Sequence, residues 1–282
     1  MVPPRRSDRG VALVAVLLLV AGLIAIATAI VVLSVSQRRT AQRAHEAALR
    51  REILDGALRV ALAEIAFGKP DGPYWHPRAP RFVEIGGRRV EVSLEREAGR
   101  IDLNTADERY VVAGLVAAGK TEADARAGAA RIRDWIDPDD AVTARIGAER
   151  DDYRRAGLSY QPRNGPMESV EEIRQVLGLA DLADPGLDAF TIYSQQLEPA
   201  PGESPPATRA ALDWLARSAG QGGTHAPLEP AAPPSPNDPV SYAGSVVRLR
   251  ACLADERDAP CRMTVQRVTG SARQPFLVFM WR

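Results

Sequence analysis

Cysteine and histidine are scarce in this chain. Its 282 residues include two cysteines, Cys252 and Cys261, and three histidines, His45, His76 and His225. A structural zinc site takes three or four ligands, and no histidine lies near either cysteine, so the chain has no zinc ligand set. The histidines fall in a helical stretch, in a Trp-His-Pro loop and in a Pro-rich segment. None of them neighbours a plausible nucleophile, which leaves no catalytic constellation to assign. Aromatic residues make up only 5% of the chain, so the core must be built from Leu, Val, Ile and Ala. Net charge is absent too, with 36 basic and 36 acidic residues. That balance excludes a dominant polyanion-binding surface while leaving room for local patches.

One long stretch lacks charge of either sign. Val11 to Val35 is twenty-five residues without an ionisable side chain, preceded by Arg5, Arg6, Asp8 and Arg9 and followed by Arg38 and Arg39. At ~1.5 Å per residue it is long enough to cross a ~30 Å hydrocarbon core, and in lipid it must be a helix. It is too long for a secretory signal core, and no small-x-small cleavage site closes it. The candidate cut lies before the apolar run, after Gly10; an uncleaved signal anchor is the alternative. The far flank is richer in Arg than the leader, so the positive-inside rule does not by itself place the large domain outside.

The remaining chain reads in order. Gln37 to Phe67 continues the helix, with Ile53, Leu54, Ala57, Leu58, Ala61 and Ile65 as an apolar stripe, and Gly68-Lys69-Pro70 stops it. Asp71 to Pro80 is a loop. Arg81 to Ile85 and Arg88 to Glu95 alternate around Gly86-Gly87, the pattern of a β-hairpin with a two-residue turn. From Gly99 to Leu187 the signal is helical. Asn104 or Thr105 is expected to cap its start, Tyr110 to Ala118 and Thr121 to Ile136 are expected helices, and Ser169 to Leu177 a further one opened by a Ser169/Glu172 capping box. Phe190 to Gln195 reads as strand and Ala207 to Ser218 as helix. Ala219 to Pro239 is a Gly- and Pro-rich linker. Three strands follow, Ser245 to Cys252, Cys261 to Val268 and Pro275 to Trp281. A helix on an antiparallel sheet interrupted by a helical insert accounts for this order.

Several motifs carry a family resemblance. The Gly10 leader before an apolar helix resembles the class III leader of type IV pilins and type II secretion pseudopilins. Gly99-Arg-Ile-Asp-Leu-Asn-Thr-Ala106, Asp134-Trp-Ile-Asp-Pro-Asp-Asp140, Gly147-Ala-Glu-Arg-Asp-Asp-Tyr153 and Asn164-Gly-Pro-Met-Glu-Ser-Val-Glu-Glu-Ile-Arg174 come in the order of the K-type minor pseudopilins of type II secretion. The C-terminal Phe-Leu-Val-Phe-Met-Trp-Arg is similar to that family's end. Family members usually carry Glu five residues after the cut; here the position is Ala15, a departure that fits the K type. The resemblance implies an α+β, pilin-like fold. Its parts are a leader (1–10), a transmembrane helix (11–36), helix and first strands (37–98), and a helical insert with a strand near 190–195 (99–218). A linker (219–240) and the last strands of the sheet (241–282) complete it. It further implies cleavage between Gly10 and Val11 with N-methylation at Val11, and a single pass through the bacterial inner membrane with the globular part in the periplasm. The implied partners are prepilin peptidase, the major pseudopilin and the I- and J-type minor pseudopilins. The implied role is non-enzymatic, at the pseudopilus tip. A close cysteine pair in a chain sent outward reads as one disulfide, with two separate buried thiols as the alternative.

Three further features compete for a function. Gly114-Leu-Val-Ala-Ala-Gly-Lys-Thr121 matches the phosphate-loop pattern, but no alternation of strands and helices surrounds it and no segment is suited to hold Mg²⁺. Ile101 to Ala106 resembles the opening of helix-hairpin-helix DNA binders, yet their Gly-apolar-Gly turn is missing. From Gly99 to Gln196 there are 12 basic and 18 acidic residues, which disfavours nucleic acid as a partner. The acids Asp137, Asp139, Asp140, Glu149, Asp151 and Asp152 are either a solvated loop or oxygen ligands for Ca²⁺. Their spacing is not that of an EF-hand. Calcium binding in the globular part is what the K-type resemblance implies.

Overall fold

A computed structural model describes residues 8–68, 79–220, 242–256 and 260–282. The leader as far as Ser7, most of the expected 71–80 loop and nearly all of the 219–240 linker lie outside them. The chain divides into two compact units, residues 1–53 and 54–282.

Helix α1 (Asp8–Phe67) runs through both units. In the first unit its segment Leu13–Val31 is long and apolar enough to cross a membrane. Leu13, Leu17, Leu19, Ile24 and Ile30 there are each at least 57% exposed, apolar surface that lipid rather than water suits.

In the second unit the end of α1 lies on a sheet. Leu54, Ala57, Leu58, Ala61 and Leu62 recur at helical spacing and are buried. The sheet comprises β1 (Arg81–Ile85), β2 (Arg88–Arg96), β5 (Val246–Leu253), β6 (Arg262–Val268) and β7 (Phe276–Trp281), antiparallel and in that order. Gly86 and Gly87 both take positive φ, 58° and 76°, as the two-residue turn between β1 and β2 requires. Period-2 alternation sends Val90, Val92 and Leu94 inward, opposite Leu253, Ala251 and Leu249. At ~25 cal/mol per Å², each such side chain contributes on the order of 2 kcal/mol, so this face is what binds helix to sheet. Asp55 on α1 fixes the docking: it accepts from Arg262 Nε at 2.9 Å and from Trp281 Nε1 at 3.0 Å. Burial, the largest single effect, opposes ionisation of Asp55, but these two bonds together with the positive charges of Arg262 and Arg59 outweigh it and hold the carboxyl below its usual value.

The insert enters after β2 and leaves before β5. A two-stranded parallel pair, β3 (Ile101–Asp102) with β4 (Phe190–Thr191), clamps its beginning to its end. Between them come α2 (Glu108–Ala117), α3 (Glu122–Ile136), α4 (Arg150–Arg155) and α5 (Asp184–Leu187), and α6 (Pro206–Gly220) follows. Leu115, Ile132, Trp135, Tyr153, Ile173, Leu179 and Phe190 form the insert's own core.

Three expectations are corrected. The cap of α2 is Asp107, whose carboxylate accepts from Arg109 N–H at 3.0 Å, rather than Asn104 or Thr105. Asn104 instead bridges to Met167, accepting its N–H at 2.8 Å and donating to its carbonyl at 3.1 Å. The segment after Ser169 is a 3-10 helix, Val170–Gln175; Glu172 accepts from the N–H groups of Ser169 and Glu168, as a cap should. The strand at 190 stops after Thr191 because Asp102 draws the Gln195 N–H and Ser194 hydroxyl to its carboxylate, turning the chain.

Cys252 in β5 and Cys261, the residue before β6, are joined by a disulfide, with their Cα atoms 4.5 Å apart. The closed loop is short, so reduction is expected to cost at most about 3 kcal/mol. Thermal unfolding of the full chain in detergent, with and without reductant, measures this. Free thiols in non-reduced protein would contradict the bond.

Candidate functional site

The site grows from one buried carboxylate. Asp134, near the end of α3, is fully buried. Its Oδ1 accepts from Thr143 N–H at 2.9 Å and its Oδ2 from Ala148 N–H at 2.6 Å, so it ties down both limbs of the 137–148 loop. Gly147 is required by this arrangement: a Cβ there would lie 1.9 Å from Asp134 Oδ2. Trp135, Tyr153 and Tyr160 pack together beside it, with centroids 5.9 to 6.4 Å apart. The Tyr153 hydroxyl accepts from Leu177 N–H at 3.0 Å, and burial pushes its pKa up to about 12.

The loop so held gathers acids. Glu149 is 5% exposed and its side chain faces the Asp152 N–H in the capping box of α4, but neither carboxylate oxygen reaches hydrogen-bond geometry with a donor; Asp137 Oδ1 is likewise buried and without one. Burial, then repulsion from Asp134, Asp137, Asp140 and Asp139, pushes the Glu149 carboxyl up to about 7. Asp137 is also raised, by burial and then by Asp139 and Asp134. Asp139 and Asp140 are exposed at the loop tip, where Asn164 Nδ2 donates to the Asp139 carbonyl at 3.1 Å and to Asp140 Oδ1 at 3.3 Å.

Of the six acids expected as ligands, the structure therefore brings Asp137, Asp139, Asp140 and Glu149 into one electrostatic cluster. Asp151 and Asp152 are engaged otherwise. Asp151 pairs with Arg154 at 3.3 Å, while Asp152 pairs with Arg155 at 2.6 Å and accepts from Glu149 N–H at 3.0 Å. Among the described residues, no three acidic, histidine or cysteine side chains converge closely enough to hold a metal ion as they stand. Asp134 escaped the sequence reading because its partners lie 9 and 14 residues away, with no local mark. Gly10 and Val11 lie at the helical start of α1.

The phosphate-loop match dissolves in the structure. Gly114 is buried inside α2, Gly119 and Lys120 close the turn after it, and the Thr121 hydroxyl caps α3 by accepting from Asp124 N–H at 3.2 Å. The Lys120 ammonium is bound to Asp181 and to the Gly178 carbonyl. Helices α2 and α3 do form a hairpin, but its one lysine is neutralised and the first turn of α3 carries Glu122 and Asp124. Neither a nucleotide nor a nucleic-acid backbone finds a site there.

A long N-terminal helix apolar enough to cross a membrane, an antiparallel sheet packed on the end of that helix, and a large helical insert splitting the sheet make up a pilin-like fold. Residues 96–183 match the family described as type II secretion system (T2SS), protein K. Over that segment the chain is similar to protein K of type II secretion. Its fold is similar to a chain in the crystal structure of the GspK-GspI-GspJ complex from the enterotoxigenic Escherichia coli Type 2 Secretion System. The TM-score is 0.55 at 17% identity, covering 87% of this chain and 98% of that one. No curated protein matches the sequence.

Proposed function

We propose that this chain is a minor pseudopilin of type II secretion that occupies the pseudopilus tip and helps to initiate or cap its assembly, as a structural rather than enzymatic component. The supporting observation is the insert's position: a helical body set between β2 and β5 would crowd neighbours along a shaft but not at its end. The partners in this reading are I- and J-type minor pseudopilins, the major pseudopilin and prepilin peptidase. Cleavage between Gly10 and Val11, N-methylation at Val11, and anchorage in the bacterial inner membrane with residues 37–282 in the periplasm belong to the same reading.

Ala15 supports it independently. A carboxylate inside a bilayer costs several kcal/mol unless it pairs, and the family's usual Glu is suited to meet the free amine of the subunit added before it. A subunit with nothing above it has no amine to meet, so an apolar side chain is favoured. The Val11 amine would remain free to receive the Glu of the subunit below. The expected copy number is one per filament, measured against the major pseudopilin in sheared filaments. Many copies along the shaft would refute the tip assignment, and a mature protein beginning at Met1 would refute the processing.

Calcium is the second element of the proposal. The donor chemistry suits the ion, though the side chains would have to draw together around it: two Glu149 oxygens and Asp137 Oδ1 are buried acceptors without donors, and a hard cation takes six to eight oxygens. Glu149 and Asp137 would hold the ion with Asp139 and Asp140 at the loop tip. Asp134 would order the loop rather than bind. Asp151 and Asp152 are the weaker candidates because arginines already pair with them.

A further inference from the structure

A second site lies in the second unit, away from the acidic loop. It is a pocket of about 320 Å³ whose lining includes Arg96, Ser194, Gln195, Gln196, Ser245 and Arg267. Among the described residues lining it, two are arginines and none is a carboxylate. This contrasts with the insert beside it, where acids outnumber bases 18 to 12 between Gly99 and Gln196.

The two arginines are held but only partly satisfied. Arg96 donates from Nη1 to Glu203 at 2.6 Å and from Nη2 to the Ser245 hydroxyl. Arg267 Nη2 donates to the neutral Gln195 Oε1 at 2.9 Å, and among the described residues no acid lies within ion-pair distance of it. The Nε–H of each arginine is buried and has no hydrogen-bond partner. The loop opposite them is placed at a cost. Gln195 takes a φ of 56°, uncommon for a residue with a side chain, and is kept there by the buried Asp102 accepting its N–H at 2.8 Å. The strain thus serves to orient Arg267 through an amide without neutralising it. Fixed guanidinium donors, with hydroxyls and no acid, recognise an oxyanion in plane. One uncompensated cation matches a single negative charge better than a dianion.

The rim narrows the class. Arg267 sits 5.8 Å from the Phe279 ring, which stacks on Tyr193 at 5.6 Å. Phe279 belongs to β7, the sheet's edge strand, where Leu277, Val278 and Phe279 are 41 to 59% exposed. Charge is absent from all six residues of that strand, although edge strands are ordinarily protected by it. We propose that this pocket takes the carboxylate of an acidic side chain on a protein partner, whose neighbouring apolar residue covers Phe279. It is a protein-binding site separate from the calcium loop and does not depend on calcium or on placement at the tip.

The test uses the full chain in dodecyl maltoside micelles with nitrogen-15-labelled arginine. N-acetyl-Glu-Phe-amide is titrated while the Nε–Hε resonances are followed. The expected result is a saturable shift of Arg96 and Arg267 but not of Arg282. The shift should be lost in Arg267→Gln and weakened about tenfold with N-acetyl-Gln-Phe-amide, the loss expected for one charged hydrogen-bonded pair. An equal response to the glutamine peptide, or to sodium chloride of the same ionic strength, would overturn the proposal. So would saturation by inorganic phosphate without saturation by the acidic peptide, which would make the site one for an adventitious small ion. The wild-type titrations decide the matter even if Arg267→Gln fails to fold.

Discussion

Asp134→Ala is expected to lower the melting temperature of the full chain by about 10 °C, measured in detergent at pH 6 with a chelator present. The substitution leaves the Thr143 and Ala148 N–H groups, 2.9 and 2.6 Å from the carboxylate, without their acceptor. Hydrogen bonds to a charged group contribute about 1.5–3 kcal/mol each, so a loss of about 4 kcal/mol is expected. For a domain of this size that corresponds to the stated shift. An opposing effect exists, since Asp134 also repels Glu149. At pH 6 it is small: Glu149, with its pKa pushed up to about 7, is mostly protonated there, and removing a neighbour's charge relieves little. Asp134→Asn keeps the volume and one acceptor oxygen, and is expected to lose about half as much. Amide exchange should locate the damage in residues 141–149. A shift below about 2 °C, or loss of protection spread evenly over the insert, would mean that Asp134 does not organise the loop.

The parts of this structure that sequence discloses are those set by near neighbours. The β1–β2 hairpin is legible because Val90, Val92 and Leu94 alternate beside two glycines. The α1 stripe of Leu54, Ala57, Leu58 and Ala61 follows from the helical period. Splitting of the sheet by the insert follows from the order of strand and helix signals. What stays hidden is set by partners far along the chain. Asn104 has the chemistry of a cap, yet it spans 63 residues to hold Met167. Asp102 looks like part of a loop signature, yet it anchors residues 194 and 195. Within the acidic run, composition could not separate the buried Glu149 from the exposed Asp151. Asp151 and Asp152 do each have an arginine three residues on, and those local pairs were the signal that set them apart.

Calcium is expected to raise the melting temperature at pH 7.5 by about 10 °C over chelator, and by much less at pH 5. Ligand bound only to the folded state stabilises by about 4 kcal/mol at a thousandfold excess over its dissociation constant, which sets the size. The pH dependence comes from Glu149. Its carboxyl is raised from 4.5 to about 7 by burial and by its acidic neighbours. Without a cation, the stability conferred by the protonated form is fully present below 4.5 and is lost as pH rises through about 7. A bound cation supplies the charge that the ionised form lacks, so its benefit grows over the same window and levels off above it. Glu149→Gln should then act with two signs. In chelator at pH 7.5 it is expected to be more stable than the wild type, by up to roughly 3 kcal/mol, because no charge is buried. In calcium it is expected to gain little, because a principal ligand is gone. The Asp139→Ala, Asp140→Ala double variant separates the tip from the buried acids: it should lose much of the calcium gain while its stability in chelator changes little, because losing the bonds these exposed acids accept from Ala141 N–H and Asn164 is offset by relief of their repulsion on Glu149. A melting point indifferent to calcium at pH 7.5, or a Glu149→Gln variant with an undiminished calcium gain, would refute the site. A destabilised Glu149→Gln in chelator would show instead that the buried carboxylate is satisfied within the protein and awaits no ion.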